Sequence, residues 1–287
     1  MAGVDIMKDM GAGLKNKELF QEIFAYYNIS AHLKNDACLS AIAGVFPRSF
    51  RKDRYNPLFF DEKVLFYDNN IEGFFFRYET EKLYADLGID WTGKYGGGGD
   101  PTRRERFMIL SDGRWSFAPD VELDWTARMD HYAGCPASWG VVDNHMVNPM
   151  LAWSTSNNVM DIIRLSAGGV FCYEKDRRAD VLEKKGGLVA RQKLEKCHVG
   201  VDNIFYLGGD LMPFYDQYGS DLYMSEECYH SGRKGSSWCD QIFLYYSPHI
   251  AGWMDLSVVF AFHLGESLDG SPVFRGWQQM LSLKVDL

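Results

Sequence analysis

The last third of the chain contains two aromatic-rich segments separated by turn residues. Asp240–Tyr246 and Leu256–Phe262 have the composition and alternation of half-buried strands, and Pro248 and Gly252 lie between them. They predict an antiparallel hairpin. An aromatic content of 15% and a hydrophobic content of 46% in 287 residues favour strands around a sizeable core. We therefore expect a mainly β fold, an antiparallel β-barrel of the lipocalin or calycin kind.

The first fifty residues have a different pattern. Between Lys15 and Ala43 apolar residues recur near the helical period, which predicts two short helices. The expected organisation is a helical N-terminal segment at residues 1–50 and a β-barrel domain at residues 51–287. The first strands of that domain are expected in three apolar runs: Leu58–Phe60, Val64–Tyr67 and Gly73–Tyr78.

Turn residues mark further strands. Asp112-Gly113 stands between Phe107–Leu110 and Trp115–Phe117, and an Asp-Gly pair in this setting predicts a tight hairpin. The four glycines at Gly96–Gly99 lack the Lys-Ser/Thr pair of a phosphate-binding loop and indicate a flexible loop. Later strands are expected at Gly169–Tyr173, Leu188–Ala190 and Val201–Leu207.

Charge and composition exclude some classes of partner. A formal net charge of -9 and a pI near 5.3 argue against nucleic-acid binding, which needs a basic face. No apolar run approaches the roughly 18 residues of a membrane-spanning helix, so we expect no transmembrane segment; peripheral membrane contact is compatible with the sequence. The compartment stays open between cytoplasm and plastid, and the sequence indicates neither a cofactor nor an oligomeric state. Six scattered cysteines permit disulfides without requiring them.

The segment from Asp124 to Trp153 is the densest in polar and aromatic residues. Asp130, His131, Asp143 and His145 could supply a metal site or an acid/base set, because imidazole and carboxylate groups bind divalent metals and transfer protons near neutral pH. The alternative is that these are loop histidines with local hydrogen bonds, since their spacing matches no metal motif.

The C-terminal hairpin resembles a known family. The residues that carry the resemblance are Asp240, Ile242, Phe243, Tyr245 and Tyr246, followed by Trp253 and the strand Val258–Phe260. They are similar to the last hairpin of the lipocalin-type domain in violaxanthin de-epoxidase and its algal relatives. Asn148-Pro149 matches an Asn-Pro turn of that family, but Met150–Ser154 replaces the aromatic-Asp pair and the Cys-Gln that continue this turn there, and the family's cysteine-rich N-terminal domain is absent. The resemblance implies a barrel that holds a carotenoid, and the family's activity would use ascorbate as reductant.

The leading interpretation is a barrel that binds an extended apolar molecule, such as a carotenoid, a terpenoid or another lipid. If the protein is an enzyme, we expect isomerisation or epoxide chemistry with Asp240 or Tyr246 as the proton donor. Tyr245 and Tyr246 are adjacent on a strand, so one faces inward and the other outward. The expected ligand-binding side chains are Tyr245, Trp253, Trp139, Trp153 and His145.

Two other classes of function remain open. In a carbohydrate-binding or glycan-processing protein, aromatic rings stack on sugars, and one open groove would be lined by Trp91, Trp115, Trp125, Trp139, Asp124 and Asp130. In a structural subunit of a larger assembly, exposed aromatic residues and the N-terminal segment would form an interface.

Overall fold

The structure is a computed structural model that describes residues 2–6, 20–51, 56–61, 63–96, 99–137, 139–211, 223, 225–229, 235–267 and 269–285. Strands dominate this part of the chain. The only α-helix within it is the single turn α1 at Val64–Tyr67. None of its helices has the length and apolar character needed to cross a membrane.

One antiparallel sheet contains all of the described strands. Its first half consists of β1 Ala2–Ile6, β2 Phe20–His32, β3 Cys38–Pro47, β4 Asn70–Glu79, β5 Leu83–Gly93, β6 Arg106–Ala118, β7 Val121–Tyr132 and β8 Val142–Thr155. Its second half consists of β9 Ile162–Asp176, β10 Val181–Lys196, β11 Val199–Gly208, β12 Ser237–Tyr246, β13 His249–Ala251, β14 Met254–Glu266 and β15 Pro272–Val285.

The order of strands in the sheet follows the order in the chain, with one exception. The short strand β13 pairs with Met254 and Asp255, the first two residues of β14. The rest of β14 pairs with β12 on one side, and β15 pairs with β14 on the other. The prediction of a mainly β, antiparallel fold is confirmed, and so is the C-terminal hairpin, which β12 and β14 form. In the described residues no hydrogen-bonded ladder joins β1 to β15.

The two helices predicted before residue 50 are wrong. Residues 20–47 form β2 and β3, which pair with each other, and β3 pairs with β4 across residue 50. Ile23, Tyr27 and Ile29 lie on one face of β2. Two apolar residues four positions apart, such as Ile23 and Tyr27, lie on the same face of a helix and also on the same face of a strand. The pairing with β3 therefore decides the conformation.

The predicted Asp-Gly hairpin is also wrong, because β6 runs straight through it. The Asp112 carboxylate accepts a hydrogen bond from the buried guanidinium of Arg51. Gly113 lies against the Trp125 ring, which a Cβ atom at this position would overlap. The glycine is therefore required for close packing within a strand and not for a turn.

Two segments leave the sheet between strands: residues 48–69, between β3 and β4, and residues 209–236, between β11 and β12. Their described residues pack on one face of the sheet, which we call the inner face. Leu58 and Phe59, expected in a strand, lie in a buried turn of the first segment, and Val64, also expected in a strand, begins α1. Gly96 and Gly99 lie in the connection between β5 and β6, while the two glycines between them lie outside the described residues.

The inner segments share a hydrophobic core with the inner face of the sheet. A single core cluster joins Leu58, Phe59 and Leu211 to inward-facing residues of strands from β6 to β12, including Met108, Val170 and Cys239. The buried guanidinium of Arg128 on β7 donates to the carbonyls of Phe59 and Tyr223 and lies 5.0 Å from the centre of the Phe60 ring. The inner segments and the inner face of the sheet therefore share one hydrophobic core.

A disulfide and a hydrogen bond fasten the second inner segment to β12. Cys228 is bonded to Cys239, and the hydroxyl of the neighbouring Tyr229 donates to Gln241 Oε1 at 2.5 Å. Burial raises the pKa of Tyr229 well above its ordinary value, so the phenol stays protonated and keeps donating.

The opposite face of the sheet, which we call the outer face, is apolar, and none of the segments that the structure describes packs on it. Every second residue of each long strand lies on it, and most of these are large and hydrophobic. Leu151, Phe171 and Leu188 are 55%, 59% and 67% exposed, respectively. The inner positions of the same strands hold buried polar residues such as Asp112, Asn148 and Glu174. This distribution is the reverse of an ordinary water-soluble sheet protein.

The two ends of the sheet differ in their connections. At the short-turn end, strands are joined by brief turns such as Pro119–Asp120 and Cys197–His198. At the long-loop end lie the connections 48–69, 94–105, 133–141 and 209–236. Aromatic residues of the outer face gather towards both ends: Trp91, Phe107, Tyr173 and Trp238 towards the long-loop end, and Tyr78, Trp115, Phe117, Trp153 and Tyr246 towards the short-turn end.

Candidate functional site

The two residues expected to donate protons do not form one site. Asp240 and Tyr246 both lie on the outer face of β12, about 20 Å apart along an extended strand. Asp240 accepts a 2.5 Å hydrogen bond from the side-chain amide of Asn203, whereas Tyr246 is exposed near the short-turn end. Tyr245 faces inward and its hydroxyl donates to Glu195 at 2.8 Å, so the two tyrosines do point to opposite faces.

The tryptophans expected around a ligand are also dispersed. Trp139 lies in the connection between β7 and β8, Trp153 near the short-turn end of β8, and Trp253 in the turn before β14, and all three are exposed. The groove expected for a carbohydrate is not formed either. Its tryptophans on β5, β6 and β7 lie on the outer face, whereas Asp124 and Asp130 lie on the inner face of β7.

A histidine and a carboxylate meet on the outer face near the long-loop end. His131 and Asp143 occupy opposite positions in the ladder between β7 and β8. The distance from His131 Nδ1 to Asp143 Oδ1 is 2.6 Å, and the side chains are 19% and 7% exposed, respectively. Because a carboxylate accepts the hydrogen bond, Nδ1 carries the proton and Nε2 is the nitrogen available to a substrate.

Two further residues fix this pair in place. The Arg177 side chain, which follows β9, donates to the second oxygen of Asp143. On the other side, the Phe107 ring on β6 lies 4.9 Å from the His131 imidazole, centre to centre. The carboxylate is therefore held by two donors, and the imidazole is held by a carboxylate and an aromatic ring.

An apolar groove of about 480 Å³ begins one residue pair away, towards the middle of the sheet. Met129 and His145 form the next outer-face pair along β7 and β8, and both line the groove. The other outer-face residues along it are Ile109, Ser111, Ala127, Val147, Phe171, Tyr173 and Lys184. His145, expected to bind a ligand, is thus the one member of that predicted set that lines this groove.

The arrangement can perform acid/base chemistry at the end of an apolar channel. An imidazole oriented by a carboxylate accepts a proton from water through its free nitrogen and returns it to a leaving group. The predicted metal alternative has no support, since the described part of the chain contains no cluster of three or more His, Cys, Asp or Glu residues that could hold a metal ion.

A second cavity, of about 530 Å³, lies on the inner face towards the short-turn end. Several of its charged groups are paired with neighbouring carboxylates or guanidinium groups. Arg164 donates to both Glu122 and Asp124, and Arg191 makes two hydrogen bonds to Asp202, of 2.8 and 2.6 Å. These ion pairs support the strands and leave the imidazole on the outer face as the better candidate for chemistry.

The sequence predicts part of this site. Of the four candidate acid/base residues, His131, Asp143 and His145 lie at the site, whereas Asp130 is buried on the other face. Arg177 and Lys184 belong to a run of basic residues interrupted by Asp180 and Glu183, a pattern that by itself indicates a solvated surface. The strand register shows that Arg177 lies beside Asp143 of β8 and that Lys184 lies opposite Tyr173 of β9. The sequence signal for this face is the alternation of Phe171, Tyr173 and Lys175 along β9.

The family comparison bears on these findings. The model of a family described as Lipid A 3'-O-deacylase-type matches residues 1–263. It overturns the resemblance to violaxanthin de-epoxidase, and with it the carotenoid, isomerase and lipocalin-like interpretations. The resemblance failed because an aromatic hairpin of about 25 residues is common to many antiparallel sheets. No curated protein and no solved structure matches the chain significantly.

Proposed function

This chain belongs to the Lipid A 3'-O-deacylase-type family, and we propose that it hydrolyses an acyl ester of lipid A or of a similar acylated lipid. The observation that carries the proposal is the His131–Asp143 pair at the end of an apolar groove. An acyl ester has a polar carbonyl joined to a long apolar chain. A proton-transferring group beside an apolar channel suits both parts of such a substrate.

In the proposed reaction water is the nucleophile. His131 Nε2 takes a proton from the water as its oxygen bonds to the ester carbonyl carbon, while Asp143 stabilises the imidazolium that forms. The bond from that carbon to the alkoxy oxygen then breaks, and the imidazolium protonates the departing oxygen. The products are a fatty acid and a lipid with a free hydroxyl.

The groove accounts for the acyl chain. Ile109, Ala127, Val147 and Phe171 offer an apolar lining that a hydrocarbon chain can occupy with its end directed towards the middle of the sheet. The ester then lies towards the long-loop end, where His131 and Arg177 are found. An acyl chain bound in this direction brings the ester group to His131 and Arg177.

We propose further that the outer face is in contact with membrane lipid. Four features support this: apolar outer positions, polar inner positions, aromatic residues towards both ends, and short turns at one end with long connections at the other. This combination is typical of strands that face a bilayer. The groove would then open directly into the layer that holds the substrate.

The test replaces His131 by Gln in the full chain and follows loss of an acyl group from lipid A in mixed micelles by mass spectrometry. Loss of the general base should reduce the rate by roughly 10²- to 10⁴-fold. Asp143→Asn should give a smaller loss, because the imidazole remains but is no longer oriented by a carboxylate.

The chain contains a matched control. His249 Nδ1 is also hydrogen-bonded to an aspartate, Asp255, but this exposed pair joins β13 to β14 near the short-turn end, far from the groove. His249→Gln should retain the wild-type rate. Equal activity of wild type and His131→Gln on an ester that the wild type cleaves would exclude the proposed role of His131.

A further inference from the structure

Lys184 differs from the other cations near the groove. The ammonium of Lys175 is paired with Asp180, the guanidinium of Arg177 with Asp143, and the ammonium of Lys185 with Glu183 at 3.4 Å. Within the described chain no carboxylate lies within ion-pair distance of Lys184. Its ammonium lies 5.9 Å from the centre of the Tyr173 ring.

The position of Lys184 makes an unpaired charge costly. The residue lies on the outer face, fourth in β10, beside the apolar wall that Phe171 and Tyr173 form. On a face in contact with lipid, as proposed above, a charged side chain among apolar neighbours is costly unless it finds an anion or reaches the head groups, and such residues are therefore functional candidates. The aromatic face of Tyr173 compensates only part of that cost.

Lys184 also has a fixed relation to the reacting end of the site. Met129, His145, Tyr173 and Lys184 form one row of directly paired positions across β7, β8, β9 and β10. His131 lies two residues further along β7. With neighbouring strands about 4.8 Å apart, the backbones of His131 and Lys184 are separated by about 16 Å, with the groove between them.

We infer that Lys184 binds an anionic group, a phosphate or carboxylate, on the head group of the lipid whose acyl ester lies at His131. This inference rests on the proposed hydrolysis and adds a positioning residue to it. The ammonium holds the anion at one side of the groove, and the spacing places the ester of a broad head group at the imidazole. A narrow head group cannot reach both points at once.

The experiment compares Lys184→Met with Lys184→Arg on two substrates, a phosphorylated acyl lipid and the same lipid after enzymatic removal of its phosphates. Lys184→Met should raise KM for the phosphorylated lipid about tenfold with a much smaller change in kcat, and by less than twofold for the dephosphorylated lipid. Lys184→Arg should restore most of the KM, because it restores the charge. Lys82→Met, in the turn between β4 and β5, is the matched control and should change neither constant.

Binding is measured separately from turnover. The His131→Gln variant and the double variant His131→Gln/Lys184→Met are each titrated with micelles of each lipid. The double variant should bind the phosphorylated lipid more weakly than the single variant does. An equal effect of Lys184→Met on both lipids would overturn the inference, as would competition by inorganic phosphate alone at the concentration of the lipid. If wild type cleaves neither lipid but the binding difference persists, the proposed hydrolysis fails while the anion contact stands.

Discussion

The two faces of the sheet are built from alternating residues of the same strands, yet they have opposite chemistry. On β6, Asp112 is buried on the inner face against Arg51, while Trp115 on the outer face is 49% exposed. The inner face tolerates charge because the inner segments bring the partners it needs. No described segment packs on the outer face, and an exposed apolar surface of this kind marks a contact with an apolar partner. The difference teaches that burial in this chain follows from contact with the inner segments and not from hydrophobicity.

The largest expected effect tests the inner face. Asp112→Ala removes a buried carboxylate that is paired with the buried guanidinium of Arg51 and should cost about 3–5 kcal/mol in the free energy of unfolding. Urea unfolding followed by tryptophan fluorescence measures this loss. Asp180→Ala breaks the exposed pair with Lys175 and should give no measurable change. A comparable loss in both variants would mean that the inner segments do not stabilise buried charge.

The second prediction tests the outer face. If this face lies in lipid, Leu188→Arg, at the middle of β10, should cost roughly 2–4 kcal/mol in vesicles. Val199→Arg, at the first position of β11 near the short-turn end, should cost far less, because the penalty falls towards the membrane surface. Unfolding in lipid vesicles over a urea series distinguishes the two. Equal stability of both variants would place the outer face in water and remove the contrast between the faces.

The smallest expected effect compares two hydroxyl groups. Tyr229→Phe removes the 2.5 Å hydrogen bond to Gln241 on the inner face and should lower stability by about 1 kcal/mol. Gln241 keeps its 3.1 Å contact with the His263 ring, which limits the loss. Tyr246→Phe removes an exposed hydroxyl from the outer face of the same strand and should leave the urea midpoint unchanged. A larger loss in Tyr246→Phe than in Tyr229→Phe would contradict the assignment of the two faces.

The sequence predicted strands where turn residues bounded apolar runs, as in β9, β11 and the hairpin of β12 and β14. It failed where one local signal serves two purposes. The spacing of Ile23 and Tyr27 fits a helix and a strand, and Asp112-Gly113 fits a turn and a closely packed strand. In each case a partner distant in sequence, β3 or Trp125, decided between the two.

The candidate site shows the same limit. Alternation along β7 places His131 on one face and Asp130 on the other, but alternation alone does not say which face is covered. The predicted site residues Asp240, Tyr246 and Trp153 lie on the outer face and not around an enclosed ligand. The described residues of segments 48–69 and 209–236 pack on the opposite face, and their apolar runs carry no signal of the face against which they pack.

By itself the sequence determined that the chain forms antiparallel strands with two chemically distinct faces, because side chains alternate with period two whatever the tertiary context. Only the tertiary structure decided which face is inner and which residues meet. Strand register brought His131 opposite Asp143, and chain crossings placed Arg51 against Asp112. The physical reason is that alternation is local, whereas register and burial depend on contacts between residues far apart in the chain.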